Sequence, residues 1–212
     1  MKFFSKVALL TLGMAFATAT SYADTVSMTF TGTSGASNGS YYIYPYYFSI
    51  NGSSTSTNLM CVSFNNEIYQ GESWTATTAA ITTASSKTAQ EDAYLFSLIG
   101  GGTYSNNDIQ EAAWYLGASN PGAVPTTSAD TALLAAASSA VTKADLGGPS
   151  IFDNGQFTLF TPVAGSQNPH SDGIPQSFVG IAPTPEPGSL LLLASGLFGC
   201  AGFVYRRKRS VL

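Results

Sequence analysis

The first part of the chain alternates apolar and polar residues with a period of two, which is the spacing of a half-buried strand. A first strand is predicted over residues 24–31. A run dense in Tyr, Phe and Ile predicts a second strand over residues 40–50, and a further strand is predicted over residues 72–83, around Trp74. The N-terminal half is therefore expected to form a sheet.

A hairpin is indicated at Asn51-Gly52, which separates the second apolar run from a third that ends near Phe64. Both turn residues tolerate positive φ, so this pair between apolar runs is a strong hairpin signal. Pro45 cannot donate to a ladder, and it predicts an edge position or a bulge in the second strand. Tyrosine-rich strands are more often a sheet core with cross-strand pairs than a sugar-binding face, and both interpretations are open here.

The apolar spacing then changes to that of helices. Thr88-Ala89-Gln90-Glu91 has the form of a capping box, and apolar residues at helical spacing follow it as far as a run of three glycines. A second helix is predicted from Asn106 to an Asn-Pro-Gly stop, and a third, rich in alanine, over about residues 127–144.

Strand signals return after the third helix. Ile151-Phe152 and residues 157–163 flank a second Asn-Gly pair, and residues 177–181 predict a final strand. Strands, then helices, then strands again predict an α+β fold, in which about three helices are inserted into an antiparallel β-sheet or sandwich.

The N-terminus has the pattern of a secretory signal peptide. Lys2 and Lys6 precede an apolar run over residues 7–17, and Ser21-Tyr22-Ala23 then supplies small residues at the positions that signal peptidase reads. Cleavage is predicted before Asp24. A retained membrane helix is the alternative, but the apolar run is short for one.

The C-terminal segment joins a proline-rich start, an apolar stretch and a basic cluster. Pro185-Glu186-Pro187 is followed by residues 188–205, which carry no charge and are near the lower length limit for a transmembrane helix. Four cations follow, and their cost of translocation predicts that they stay on the cytoplasmic side. They are Arg206, Arg207, Lys208 and Arg209.

These three parts, in this order, resemble the PEP-CTERM sorting signal of Gram-negative bacteria. The resemblance implies a transient stage anchored in the inner membrane, after which an exosortase cuts near Pro-Glu-Pro and the protein reaches the cell surface or the medium. An unprocessed tail anchor is the alternative. The predicted organisation is a signal peptide (1–23), an exported α+β domain (24–166), a Pro/Gly/Ser-rich stalk (167–184) and a sorting signal (185–212).

The charge of the exported part argues against one class of partner. The chain has eight Lys and Arg and twelve Asp and Glu, but only Lys87 and Lys143 lie outside the targeting ends. All twelve acids lie between Asp24 and Glu186, so two cations against twelve acids give this part a formal charge of −10. Such a surface repels phosphate backbones, so no nucleic-acid partner is expected.

Patterns of common catalytic and metal centres are scarce. His170, the only histidine of the sequence, lies in a Pro/Gly/Ser-rich loop, and there is no Gly-x-Ser-x-Gly elbow. One His and two distant Cys give no zinc pattern, and Asn106-Asn107-Asp108 lacks the spacing of an EF-hand. Helix capping explains this Asn/Asp cluster. We therefore expect neither a metal nor a cofactor, and no enzymatic activity.

The cysteines are more informative. Cys200 lies in the apolar tail and would leave with it, so Cys61 would be the one cysteine of the exported part. An unpaired thiol in an oxidising compartment indicates burial, an intermolecular bridge or a reactive role.

Met60-Cys61-Val62 and the sequence Ile109-Gln110-Glu111-Ala112-Ala113-Trp114 together resemble the thioester domains of bacterial surface adhesins. In those domains a strand cysteine attacks the glutamine amide of a Thr-Gln-x-Ala-x-Trp motif and expels ammonia. The match consists of Gln110, Ala112 and Trp114. The departures are Ile109 in place of Thr and Met60 where an aromatic residue is usual.

The resemblance implies an internal thioester between Cys61 and Gln110, which an amine on a partner can open to leave a covalent bond. Proximity would favour its formation, and apolar walls from Trp114, Tyr94 or Phe64 would slow its hydrolysis. A purely structural explanation is also open. In it, Gln110 belongs to a capping box begun by Asn107, Trp114 is a core residue and Cys61 is a small buried side chain.

Three functions follow as hypotheses. The first is a structural or interaction protein of the cell surface or extracellular matrix, and the second is a covalent adhesin that uses Cys61 and Gln110. The third is a hydrolase of matrix polysaccharide, although no carboxylate pair identifies itself. The expected partners are an exosortase-like enzyme, the inner membrane for a time, and an extracellular polysaccharide or an amine-bearing surface.

Overall fold

The computed structural model describes residues 24–39, 41–124, 127–166 and 173–181. These ranges form eight strands, three α-helices and a short 3₁₀ turn at Pro121–Ala123. In chain order the elements are β1 Thr25–Thr33, β2 Ser37–Asn38, β3 Tyr41–Tyr42, β4 Tyr46–Ile50, β5 Thr57–Cys61, β6 Ser73–Ala80, α1 Lys87–Ser97, α2 Asn106–Gly117, α3 Ser128–Asp145, β7 Phe157–Pro162 and β8 Phe178–Ile181.

Six strands form a closed antiparallel barrel in the order β1-β4-β5-β8-β7-β6, and β2 pairs with β3 in a separate small hairpin. The mixed helix and strand content, the three helices and the antiparallel pairing confirm the expected architecture in part. The sheet does not split into a sandwich, because β8 pairs with both β5 and β7 and so joins its two edges. A bulge between Phe30 and Gly32 adds local bending to β1.

The barrel interior forms one apolar core. Side chains alternate across a strand, so Leu59 and Cys61 of β5 point inward while Met60 points toward the helices. Phe48 and Phe178 meet at the centre, with ring centroids 4.7 Å apart. The other interior residues are mostly large, and they include Met28, Phe30, Tyr46, Ile50, Trp74, Ala76 and Phe160.

A second apolar core lies between the outer face of the barrel and the three helices. Met60 of β5, Val62 just after that strand and Val179 of β8 contribute the barrel side. The expected apolar face of α2 contributes to the helical side, where Ile109, Ala112 and Ala113 are fully buried and Leu116 is partly buried. This second core holds α2 across the end of β5.

The helix caps differ in part from the sequence prediction. The first capping prediction is wrong, since Thr88 lies inside α1 and the Ser86 side chain accepts the cap bond from the Ala89 N–H. The third helix is capped by Thr127 in a capping box with Asp130, which confirms its predicted start.

The second helix begins at Asn106, as predicted, but its cap is not Asn107. Ser105 forms a capping box with Asp108, in which each side chain bonds the backbone of the other residue. The structural role suggested for Gln110, in a capping box begun by Asn107, is therefore wrong. Gln110 takes no part in the cap of α2.

The hairpin turn at Asn51-Gly52 was predicted correctly from its two residues. Asn51 has a φ of 53° and Gly52 follows it at 72°, as the hairpin prediction requires. Ile151-Phe152 was wrongly predicted as a strand. These residues form a turn, and the buried Phe152 anchors this turn in the helix-side core.

Pro45 does not mark an edge strand or a bulge. It lies just before β4, and β4 pairs with β1 on one side and with β5 on the other. Within the described ranges, the missing donor of this proline therefore interrupts no ladder.

The folded domain continues past the interval assigned to a stalk. The final strand predicted over residues 177–181 is confirmed as β8, which closes the barrel, so the domain includes Ile181 and does not end at residue 166. The predicted signal peptide and sorting tail lie outside the described residues. Within the described part, no helix has the length and apolarity needed to cross a membrane.

Candidate functional site: the Cys61–Gln110 junction

The junction of β5 and α2 brings together the two residues singled out by the sequence. The Gln110 side chain donates from Nε2 to the backbone oxygen of Cys61 at 2.5 Å, and both residues are completely buried. Cys61 is the last residue of β5, and Gln110 lies in the second turn of α2. The amide therefore reaches the cysteine at the end of the strand, where the helix crosses it.

Gly117 allows this close approach. A Cβ atom at this position would lie 1.8 Å from the backbone oxygen of Val62, which is far inside contact distance. Any larger residue at the end of α2 would push the helix away from β5. Gly117 therefore helps to position Gln110, because it lets α2 lie close to the chain at the end of β5.

Trp114 lies one turn after Gln110 on the same face of α2, because residues four apart are neighbours on a helix. Its ring enters the barrel core that contains the Cys61 side chain. Ala112, fully buried, lies instead in the helix-side core. The two supporting residues thus pack on different sides of the junction, and only Trp114 belongs to the core around the thiol.

The thiol itself is neutral and buried. Cys61 is a free cysteine whose Sγ donates to the Ser63 oxygen at 3.4 Å. Burial raises the pKa of the Cys61 thiol to about 12, which the Trp114 indole N–H and the Ser63 backbone offset in part and the charge of Asp92 increases slightly. A thiol of this kind is inert toward reagents in water, so any reactivity must be directed at a neighbour fixed within the core.

The Gln110 amide is only half satisfied. Its nitrogen is bonded, whereas its oxygen is buried without a hydrogen-bond partner among the described residues. A buried polar atom left unpaired costs about 1–3 kcal/mol. The site thus holds a buried amide whose hydrogen-bonding capacity is only partly used.

Asp92 is a second titratable group that acts on the junction, beside the Cys61 thiol. It lies on α1, is almost completely buried, and its Oδ1 lacks a partner among the described residues. Burial raises the pKa of Asp92 well above its usual range, and the charge of Glu91 raises it further. Its neighbour Glu91 pairs instead with Lys87 at 3.5 Å.

Sequence reasoning did not select Asp92, although a signal was present. This acid lies between Ala89 and Ala93, both buried, on the face that α1 turns toward the core. A charged residue among the buried positions of a helix is either paired or functional. The sequence alone could not tell which, because its neighbours come from other elements.

Three aromatic rings cover the outer side of the junction. Tyr41, Phe64 and Trp114 contact one another, with ring centroids 5.1, 5.9 and 5.5 Å apart. Phe64 and Trp114, two of the residues expected to form apolar walls, therefore lie beside the junction. Tyr94, the third residue proposed for that role, packs in the helix-side core instead.

The β2–β3 hairpin holds Tyr41 in this position. Asn38 on β2 donates its side-chain amide to Glu111 of α2, which also accepts from Asn107 at 3.1 Å. Neither the hairpin nor this contact was expected, because no strand was predicted over residues 32–39 and Tyr41–Tyr42 was assigned to the second strand, which begins only at Tyr46. In the described part of the chain, no group of three or more acidic, Cys or His side chains is placed to hold a metal ion.

Comparison with known families identifies a PEP-CTERM protein-sorting motif at residues 183–209. The matched segment includes Pro185, Glu186, Pro187 and the basic residues 206–209, which confirms the resemblance seen in the sequence. The motif supports export through an exosortase-type system with a membrane-anchored processing stage. Comparisons with curated proteins and with solved structures found no match.

Proposed function

We propose that this exported protein is an adhesive interaction protein of the cell surface or extracellular matrix, and that it attaches to its partner through an internal thioester between Cys61 and Gln110. The observation that carries the proposal is the contact of the Gln110 amide with the Cys61 backbone in a fully buried junction. The sorting motif at residues 183–209 supplies the route to the surface.

The bond-forming step is balanced without a cofactor. The Cys61 sulfur attacks Cδ of Gln110, the bond from Cδ to Nε2 breaks, and the thiol proton leaves with the nitrogen as ammonia. The Gln110 side chain must rotate from the Cys61 oxygen toward the sulfur, which belongs to the same residue. Fixed proximity of this kind supplies a high effective concentration, which offsets the low reactivity of a neutral thiol.

Asp92 is suited to carry the proton. Its raised pKa keeps the carboxyl group protonated well above the usual range, and it acts electrostatically on the Cys61 thiol. A neutral carboxyl group can protonate the departing nitrogen and then recover a proton from the thiol. The carboxyl group is unchanged at the end of the reaction.

Attachment follows by the reverse exchange. A neutral primary amine of the partner attacks the thioester carbon, the bond to sulfur breaks, and the amine proton passes to the Cys61 sulfur. The product is an amide between Gln110 and the partner. Until then Tyr41, Phe64 and Trp114 limit the access of water to the bond.

The intact mass of the natively exported protein tests the proposal. We expect a mass that is lower by one ammonia than the sequence of the mature chain requires, and one without the signal peptide and without residues 190–212. Methylamine should raise the mass by one methylamine and release one thiol that can be alkylated once the protein is unfolded. The variants C61A and Q110A should show neither the ammonia loss nor the methylamine gain, whereas Q156A, which changes an exposed glutamine, should behave as wild type.

A full mass with an alkylatable Cys61, in protein never exposed to amines, would contradict the thioester. The second candidate is then a non-covalent structural or interaction protein. One observation favours it: the Cys61 thiol donates to the Ser63 oxygen and packs as an ordinary core side chain.

A further inference from the structure

A groove of about 790 Å³ opens beside the aromatic cover of the junction. It lies between the end of β1, the β2–β3 hairpin and the loop over residues 64–70, and its volume is within the usual range for ligand sites. Trp114 lines this groove and also contacts the core around the Cys61 thiol. Trp114 therefore separates the groove from the Cys61–Gln110 junction.

The groove presents hydrogen-bond acceptors. Four side-chain amides line it, and each donates one hydrogen bond from its NH₂ group to the protein, which fixes the direction of its carbonyl oxygen. The oxygen of Gln176 is buried, so the acceptors that a ligand could reach are those of the other three amides. The four donations are Asn65 to Ser119 Oγ, Asn66 to the Pro175 oxygen at 3.2 Å, Gln70 to the Thr31 oxygen at 3.0 Å and Gln176 to the Asn66 oxygen at 2.5 Å.

The groove is negatively charged. Glu67 is its one charged lining residue, and the Tyr69 hydroxyl donates to this carboxylate at 2.9 Å and so fixes its direction. The faces of Tyr41 and Tyr42 are exposed beside it. Carboxylate, amide oxygens and aromatic faces without a competing cation are the groups that bind an ammonium ion.

The same groups favour a sugar over a lysine side chain as the bearer of that amine. Tyrosine rings stack on sugar rings, and the amide oxygens accept from hydroxyl groups. The amino group of a hexosamine is less basic than that of lysine, because the neighbouring hydroxyl groups withdraw electrons. At neutral pH it is therefore present to a greater extent as the neutral nucleophile that a thioester requires.

We propose that this groove binds a polysaccharide segment that carries free primary amino groups and delivers one of them to the Cys61–Gln110 junction. Reversible binding depends on the groove alone. Covalent capture rests, in addition, on the function proposed above.

The test separates the two steps. Reversible binding is measured by calorimetry on the exported C61A variant, which cannot form a thioester, with a short glucosamine oligosaccharide and with its fully N-acetylated form. We expect binding of the first and not of the second. E67Q and Y42A, each added to C61A, should weaken binding about tenfold through loss of a charge-assisted contact or of a stacking face. The matched surface changes D153N and Y115A should leave it unchanged.

Covalent capture is then measured by mass on protein with Cys61 intact, which should gain the mass of one oligosaccharide. Binding by C61A without this gain, in protein that has lost no ammonia, would retain the groove and remove the thioester. Ammonia loss without oligosaccharide binding would overturn the groove and retain the thioester. Equal binding of the N-acetylated form, or tighter binding of a lysine-rich peptide, would also overturn the groove proposal.

Discussion

Asp92 is a buried carboxyl group that forms no ion pair with the described residues. Its raised pKa means that the native state holds a proton which the unfolded chain releases at the usual carboxyl value. Between these two values the unfolded state binds fewer protons, so the free energy of unfolding falls as the pH rises, by about 1.4 kcal/mol per pH unit. At low pH both states are protonated and this loss vanishes.

We therefore expect D92N to gain stability relative to the wild type as the pH rises from about 4 toward neutrality, since asparagine has no proton to lose. Urea unfolding of both proteins over this range measures the difference. D145N, which changes an exposed acid, is the control. The same D92N variant should lose ammonia more slowly if the carboxyl group carries the proton. A stability difference independent of pH would mean that Asp92 does not titrate as the structure implies.

At this scale the sequence predicted that Cys61 and Gln110 lie together but not their setting. Gln110 and Trp114 were selected because they match the spacing of the thioester motif, and that spacing also places both on one helical face. Asp92 and Glu67 were not selected: the position of Asp92 among buried residues of α1 was a signal without a known partner, and Glu67 lies in a segment with no periodic pattern. The groove is built mainly from a loop that carries no periodic pattern.

The contact of α2 with β5 is set by a residue that helix propensity would disfavour. Gly117 is exposed at the end of α2, and replacing a helical glycine with alanine ordinarily stabilises a helix by about 1 kcal/mol. Here the added Cβ would lie 1.8 Å from the Val62 oxygen. The backbone of β5 cannot yield as a flexible side chain would, so α2 has to move.

We expect G117A to destabilise the protein by about 1–3 kcal/mol, the usual cost of overpacking, and to reduce the ammonia loss, because Gln110 moves with the helix. Urea unfolding and intact mass measure the two effects. G122A is the matched control, since its Cβ would meet only the Asn120 side chain at an ordinary 3.5 Å. A G117A protein with full stability and full ammonia loss would show that this close approach does not position Gln110.

Among the elements, those with local signals were predicted and those that depend on distant pairing were not. The Asn51-Gly52 hairpin and the three helices follow from turn chemistry and apolar periodicity. The closure of the barrel depends on the pairing of β8 with β5, and no local pattern encodes that partner. The β2–β3 hairpin has only two residues in each strand, which is too short to produce an alternation.

At the scale of the whole molecule, the strand that carries Cys61 pairs with the strand that precedes the sorting signal. β8 pairs with β5 through Phe178 and Cys61, and the sorting motif begins at residue 183, two residues after β8 ends. The folded domain therefore leads directly into the segment on which the exosortase-type system acts. The formal charge of −10 between residues 24 and 186 also suits a partner that carries amines, and this was visible from the sequence.

The barrel cannot close without the residues after 166. Phe178 is completely buried at the centre of the interior, and its ring lies 4.7 Å from that of Phe48 and 5.6 Å from that of Tyr46. Removal of β8 would also leave β5 and β7 as open edges, with unpaired backbone groups that promote aggregation. We expect a chain of residues 24–182 to unfold cooperatively in urea and to elute as a folded species in size-exclusion chromatography.

A chain of residues 24–166 should instead aggregate or remain unfolded, because it lacks both the strand and its central ring. F178A in the longer chain separates the two contributions, since it keeps the backbone pairing and removes only the ring, at an expected cost of about 3–5 kcal/mol. Cooperative unfolding of the shorter chain with wild-type stability would place the domain boundary at residue 166 after all. If the longer chain alone folds, processing has to occur after Ile181, because a cut before β8 would destroy the junction that the exported protein is proposed to use.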